Sequence, residues 1–217
     1  MPALKKIVSF CLVILFFIEI NGQELAPKKM RFEGYSGGMM LQTGYLFGGT
    51  TKVLNSPTGA IQNIDMCGFS FGLGGAIRFY FGKHLRIGGE GYTSKLFYGK
   101  NGTHTSLGWG GILADCKWDF DKLTLFAGGT FGGGKARNFV FENQSSSNAI
   151  LNKNTAFREY SIMIISPFIG VEYAVTSKLH LIAKVDWIVN ITKKQPDFVM
   201  GPRLYFGVMF CHLKERK

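Results

Sequence analysis

"CGFSFGLGGAIRFYF", Cys67 to Phe81, is the stretch that decides the fold. Its odd-numbered positions are Cys67, Phe69, Phe71, Leu73, Gly75, Ile77, Phe79 and Phe81. The even ones are Gly68, Ser70, Gly72, Gly74, Ala76, Arg78 and Tyr80. Successive side chains of a strand point to opposite faces, so one face here is large and apolar and the other small or polar. "LHLIAKVDWIVNI", Leu179 to Ile191, repeats the pattern. Leu181, Val185, Trp187 and Val189 share one face, and His180, Lys184, Asp186 and Asn190 lie on the other with Ile182 and Ile188.

Runs of this kind predict eight strands, near Tyr35–Phe47, Met66–Phe81, Leu85–Tyr98, Ser106–Asp119, Leu123–Gly133, Glu159–Val175, Leu179–Ile191 and Val199–His212. The connections alternate in length. Those at Gly82–His84, Phe120–Lys122 and Thr176–Lys178 are tight turns, whereas Gly48–Asp65, Gly99–Thr105, Gly134–Arg158 and Thr192–Phe198 are polar and mostly longer. Tight turns at one end and longer loops at the other are the signature of a transmembrane β-barrel with both termini on the tight-turn side. The expected fold is therefore all-β, an eight-stranded antiparallel up-and-down transmembrane β-barrel. Trp109 and Trp118 fall on opposite phases of one strand. Both face lipid only if a bulge intervenes, for which Gly110–Gly111 is the natural place.

Which face points inward follows from charge. The apolar faces carry almost none, and in water the phenylalanine rows of the second strand would form a patch beyond what monomers tolerate. Hydrocarbon outside removes the conflict. The same arrangement explains the glycine content, 29 of 217 residues. Eight strands enclose an interior only just wide enough for side chains, and small residues must fill much of it. "GGTFGGGKA", Gly128 to Ala136, belongs to this pattern rather than to a phosphate-binding loop. Such a loop needs Ser or Thr after the lysine, where this chain has Ala136, and a helix behind it, where "RNFVFENQSSSN" has no helical period.

The first residues read as a signal peptide. Lys5 and Lys6 precede the apolar core Ile7–Ile18, and Asn21, Gly22 and Gln23 form a polar exit. The expected organisation is a leader over 1–23, an N-terminal lead over 24–34, the barrel over 35–212 and a tail over 213–217. Loss of Lys5, Lys6 and Glu19 with the leader takes the net charge from +11 to +10. An exported chain of that charge meets anionic lipid headgroups rather than nucleic acid. Cys67, Cys116 and Cys211 are too few and too far apart for a disulfide framework or a zinc site.

The leader, the eight alternating runs and turns such as "KWDFDKLTL" and "EYAVTSKLHL" resemble the small outer-membrane β-barrel proteins of Gram-negative bacteria, the group around outer-membrane proteins A, X and W. "GPRLYFGVMF" is similar to that group's closing strand, with Phe210 in the place of the aromatic read by the barrel-insertion machinery, although "CHLKERK" follows it here. The resemblance implies an integral outer-membrane location, with outer-membrane lipid and lipopolysaccharide as surroundings. It implies a specific activity hardly at all.

The inward phase carries Arg78, Arg86, Glu90, Asp115, Lys117, Glu172, Lys184, Asp186 and Arg203. Unpaired charges in so thin a tube are costly. Arg78, Glu90, Glu172, Lys184, Asp186 and Arg203 are therefore expected to form a paired network that closes the lumen. The predicted loops are basic, and Lys135, Arg137, Lys193 and Lys194 are the candidates for contacts with lipopolysaccharide phosphates. No catalytic, cofactor or metal site is expected. His104, beside Thr103, Thr105 and Ser106, lacks a neighbouring carboxylate to orient its ring. The first function class is thus a non-enzymatic structural or interaction barrel displaying basic loops. A narrow, porin-like channel for small solutes is the alternative, and a lipid-modifying enzyme trails both.

Overall fold

The computed structural model describes residues 31–55, 60–98, 103–141, 155–192 and 195–213. The strands are β1 (Phe32–Asn55), β2 (Ala60–Phe81), β3 (Leu85–Phe97), β4 (His104–Phe120), β5 (Leu123–Phe141), β6 (Thr155–Ala174), β7 (Leu179–Trp187), β8 (Val189–Asn190) and β9 (Pro202–Leu213). β7 and β8 are two pieces of one strand, interrupted at Ile188 and both paired to β6. Each strand pairs antiparallel with the next, β9 pairs with β1, and the ring closes without a free edge. This is the eight-stranded up-and-down barrel that the alternation predicts.

Pairing followed once round the ring from Ser36 returns to β1 at Leu46, ten residues further on. With eight strands, that stagger corresponds to a tilt of about 40°. Tyr35 and Tyr45 are exposed on the same face of β1. At about 3.3 Å per residue and this tilt they stand roughly 25 Å apart along the barrel axis, the height of a transmembrane apolar band. Between those levels the outer face carries Leu41, Phe71, Ile112, Phe131, Ile169 and Phe206, each at least half exposed. Such a belt is stable only against hydrocarbon.

The tight turns lie where the sequence puts them. Gly82 (φ +63°) and Asp121 (φ +53°) supply the left-handed residues that short hairpins need. Thr176 Oγ1 accepts from the N–H groups of Lys178 and Leu179 in the third turn. The opposite end differs from expectation. β1 and β2 stay paired out to Asn55 and Ala60, and β5 and β6 out to Phe141 and Thr155. Most of Gly48–Asp65 and part of Gly134–Arg158 are thus strand, not loop. Above the bilayer the outer face no longer has to be apolar, so the alternation fades while the backbone ladder continues. β1 also begins at Phe32, inside the expected lead, and β9 runs to Leu213. The expected leader lies outside the described residues.

The bulge at Gly110–Gly111 that would turn both tryptophans to lipid is absent, because β4 pairs with β3 and β5 in unbroken register through both residues. Trp118 faces lipid and Trp109 turns into the lumen, where it is 5% exposed. The two tryptophans are therefore not a pair of girdle residues. Trp109 fits inside because Gly134 lies directly across on β5. The same exchange recurs elsewhere: the Tyr92 ring lies where a side chain on Gly74 would go, and the Phe126 ring where one on Gly170 would. Cross-strand glycine makes room for these three inward rings.

Candidate functional site

All nine inward charges expected from the alternation are buried in the lumen. They fall into separate tiers rather than one chain. Near the tight-turn end, β2, β3, β4 and β6 bring together Arg78, Arg86, Asp115 and Glu172. Arg78 Nη1 and Arg86 Nη1 both donate to Glu172 Oε1, at 2.6 and 2.7 Å. Arg86 Nε donates to Asp115 Oδ1 at 2.5 Å. Arg78 Nε approaches Asp115 Oδ2 at 3.3 Å without hydrogen-bond geometry. The two guanidinium carbons stand 4.7 and 4.9 Å from the centre of the Phe126 ring, which adds a cation–π contact to each. His180 Nδ1 is 3.7 Å from the second oxygen of Glu172. Below this tier, Tyr80 donates to Ser36 Oγ at 3.1 Å, and Lys117 reaches out to Asp119 at 2.5 Å.

The second tier is built on Lys184, which donates to Glu90 Oε2 at 2.6 Å. Its ammonium sits 4.4, 4.8 and 5.1 Å from the ring centres of Tyr205, Phe168 and Tyr92, which cage it beside the carboxylate. Thr130 donates to the other oxygen of Glu90 at 2.6 Å. Asp186 does not join Lys184. Its Oδ2 accepts from Ser166 at 2.9 Å and from Tyr205 at 2.8 Å. Arg203 is Asp186's cross-strand neighbour on β9 and is fully buried, yet its three guanidinium nitrogens hydrogen-bond no described protein atom. Gln42 Oε1, Trp109 Nε1 and Asp186 Oδ1 are likewise buried and unbonded.

Of the six residues expected to pair, four therefore find charged partners. Two of those partners, Arg86 and Asp115, lie outside the expected six. Nothing in their spacing could have disclosed this, since Arg86 and Glu172 are joined across the ring.

Toward the long-hairpin end the lumen turns apolar with Leu46, Leu96, Leu107, Ile162 and Ile164, all buried. The segment before β9 folds in above them. Asp197, Phe198 and Val199 are 2%, 7% and 5% exposed. Val199 packs with Leu46, Met66, Leu96 and Tyr98. Asn138 Nδ2 donates to Asp197 Oδ2 at 2.5 Å, and Arg158 reaches Asp197 Oδ1 at 3.0 Å. Thr105 donates to the Asn138 side-chain oxygen. Pro196 O accepts from the Thr50 N–H at 2.8 Å, which pins this segment to β1.

Two of the four expected lipid-phosphate contacts change place. Lys135 and Arg137 are not in a loop but on β5, both exposed on the outer face. Their side chains converge on one carboxylate: Lys135 Nζ donates to Glu159 Oε1 at 2.8 Å and Arg137 Nε to Oε2 at 2.7 Å. Lys193 and Lys194 lie outside the described residues. The alternation of β4 separates His104 and Ser106, which face outward, from the buried Thr103 and Thr105. The imidazole stacks on Phe139, with ring centres 4.8 Å apart.

No protein-family model and no curated protein matches the chain. Solved structures do. Neisserial surface protein A shares 17% identity at a TM-score of 0.50, covering 83% of this chain and 98% of that one. Ail, the attachment invasion locus protein of Yersinia pestis, shares 12% at 0.44 over 83% and 99%. The outer-membrane protease OmpT of Escherichia coli shares 10% at 0.38 over 85% and 99%. The fold comparison rests on the first. The closed ring, its outward apolar belt and this likeness make the chain a transmembrane β-barrel of the Gram-negative outer-membrane type.

Proposed function

We propose that this protein is a closed structural barrel of the outer membrane, one that presents its outer face and hairpins to lipid and partners without conducting solutes. The observation that carries this reading is the interlocked tier of Arg78, Arg86, Asp115 and Glu172. An eight-stranded interior is only just wide enough for side chains, so a tier joined from β2 to β6 fills it. The caged Lys184–Glu90 pair and the in-folded Asp197–Val199 segment add two further closures. The partners implied are outer-membrane lipid, lipopolysaccharide and the barrel-insertion machinery. Phe210, 64% exposed on the outer face near the tight-turn end, supports the last of these.

A second reading, a narrow channel, draws support from the unbonded polar atoms around Arg203. Such atoms hydrate, and hydrated tiers are where a pore would begin. Liposome swelling separates the two. Vesicles carrying the refolded protein should swell no faster in small sugars or amino acids than empty ones. Swelling that scales with the amount of protein would favour the channel. The refolded protein should also be heat-modifiable, with unboiled detergent samples migrating apart from boiled ones.

A further inference from the structure

The outer face of β3 to β6 is unlike the rest of the belt. Cross-strand pairing arranges it in rows. Gly91, Gly110 and Gly133 form the lowest of these, with no side chain to fill the surface. Above them Thr93, Gly108, Lys135 and Ser161 stand in register. The next row is Lys95, Ser106, Arg137 and Glu159. The uppermost is aromatic: Phe97 and His104 are 5.5 Å apart between ring centres, His104 and Phe139 4.8 Å, and Phe139 and Phe157 4.9 Å. A depression of about 360 Å³ opens where the glycine row meets the cations, bounded by Thr93, Ser106, Lys135 and Arg137. Elsewhere at this level the belt is still apolar, with Tyr45, Phe69 and Ile191 exposed.

We propose that this depression is a binding site for one phosphorylated glycolipid of the surrounding leaflet, the chemistry of lipopolysaccharide. The glycine row, the two cation-bearing rows and the aromatic row match three parts of such a molecule. The side-chain-free trough takes an acyl chain in the hydrocarbon. Lys135 and Arg137 share one carboxylate, Glu159, and Lys95 stands in the same row on β3, so three cations against one anion leave two excess positive charges to complement a phosphate. The aromatic row above is at the level of sugar rings and offers them flat apolar faces. The cations lie at the edge of the apolar belt, where a headgroup phosphate lies. The proposal presupposes a membrane-embedded barrel, which heat-modifiability checks separately.

The test is binding of lipopolysaccharide to the refolded, heat-modifiable protein in detergent at low and high salt. The variants are Lys95→Gln/Lys135→Gln/Arg137→Gln and, with all charges kept, Gly108→Leu. Gly108 has open space where its side chain would begin, so leucine there fills the trough without disturbing the strand. The triple variant should bind roughly a hundredfold more weakly at low salt, given the usual contribution of three cations near an anionic surface. That difference should shrink at high salt, where exposed charges are screened. Gly108→Leu should also weaken binding, and dephosphorylated lipopolysaccharide should bind the parent no better than the triple variant. Equal binding by parent and triple variant would overturn the site. Displacement by inorganic phosphate with Gly108→Leu unaffected would overturn the lipid assignment, leaving a surface that attracts phosphate without holding a chain.

Discussion

The tight-turn tier of the lumen and the level around Arg203 bury charge equally well and bind it differently. Arg78, Arg86, Asp115 and Glu172 exchange three hydrogen bonds and a further close contact, with Phe126 stacked against both cations. Arg203 is just as inaccessible, yet none of its nitrogens hydrogen-bonds a described protein atom, and Asp186 beside it is already held by Ser166 and Tyr205. Depth alone therefore does not measure what a charge contributes. A charge that its partners hydrogen-bond leaves them stranded when removed, whereas one that hydrogen-bonds no neighbour leaves little behind.

The largest effect should come from Glu172→Ala, which strands two buried guanidinium groups that share one oxygen. We expect a loss of about 3–5 kcal/mol in urea unfolding. Glu90→Ala should cost nearly as much by leaving Lys184 in its cage without a carboxylate. Adding Lys184→Met to it should recover most of the loss, because removing a whole buried pair is far cheaper than halving it. If the double variant is as unstable as the sum of its parts, the tier is not acting through charge pairing.

The packing exchange between rings and glycines sharpens the same contrast from the steric side. Gly74→Leu forces its side chain into the Tyr92 ring and Gly170→Leu into Phe126. Each should cost about 1–3 kcal/mol, typical of overpacking. Arg203→Met should cost no more than about 1 kcal/mol, the worth of ordinary hydrogen bonds exchanged with water. A penalty near that of Glu172→Ala would erase the distinction between the two levels.

The ring was legible in the sequence because hydrocarbon demands an apolar side chain at every second position, and Phe69, Phe71, Leu73 and Ile77 answer that demand directly. The inward charges were legible for the complementary reason: they occupy the other phase. The hairpin lengths were not. Once β5 leaves the belt at Lys135, its outer face turns to Lys135 and Arg137 while Ala136 and Val140 stay buried inside, so "KARNFVF" loses the apolar-outward alternation while keeping its ladder to β6. Lys135 and Arg137 were misplaced in a loop on that account. Trp109 misled because aromatics usually mark the interface, and its fit inside depends on Gly134, residue for residue across the sheet. The pairing of Arg86 with Glu172 depends on cross-ring distance, which alternation does not encode.

Single-channel conductance of the refolded protein, parent beside Glu172→Ala, tests the closed lumen most directly. The account predicts a silent parent and a Glu172→Ala that is silent too, because the caged Lys184–Glu90 pair and the Asp197–Val199 segment still close the lumen beyond that tier. Regular ohmic openings in the parent, unchanged by Glu172→Ala, would contradict it.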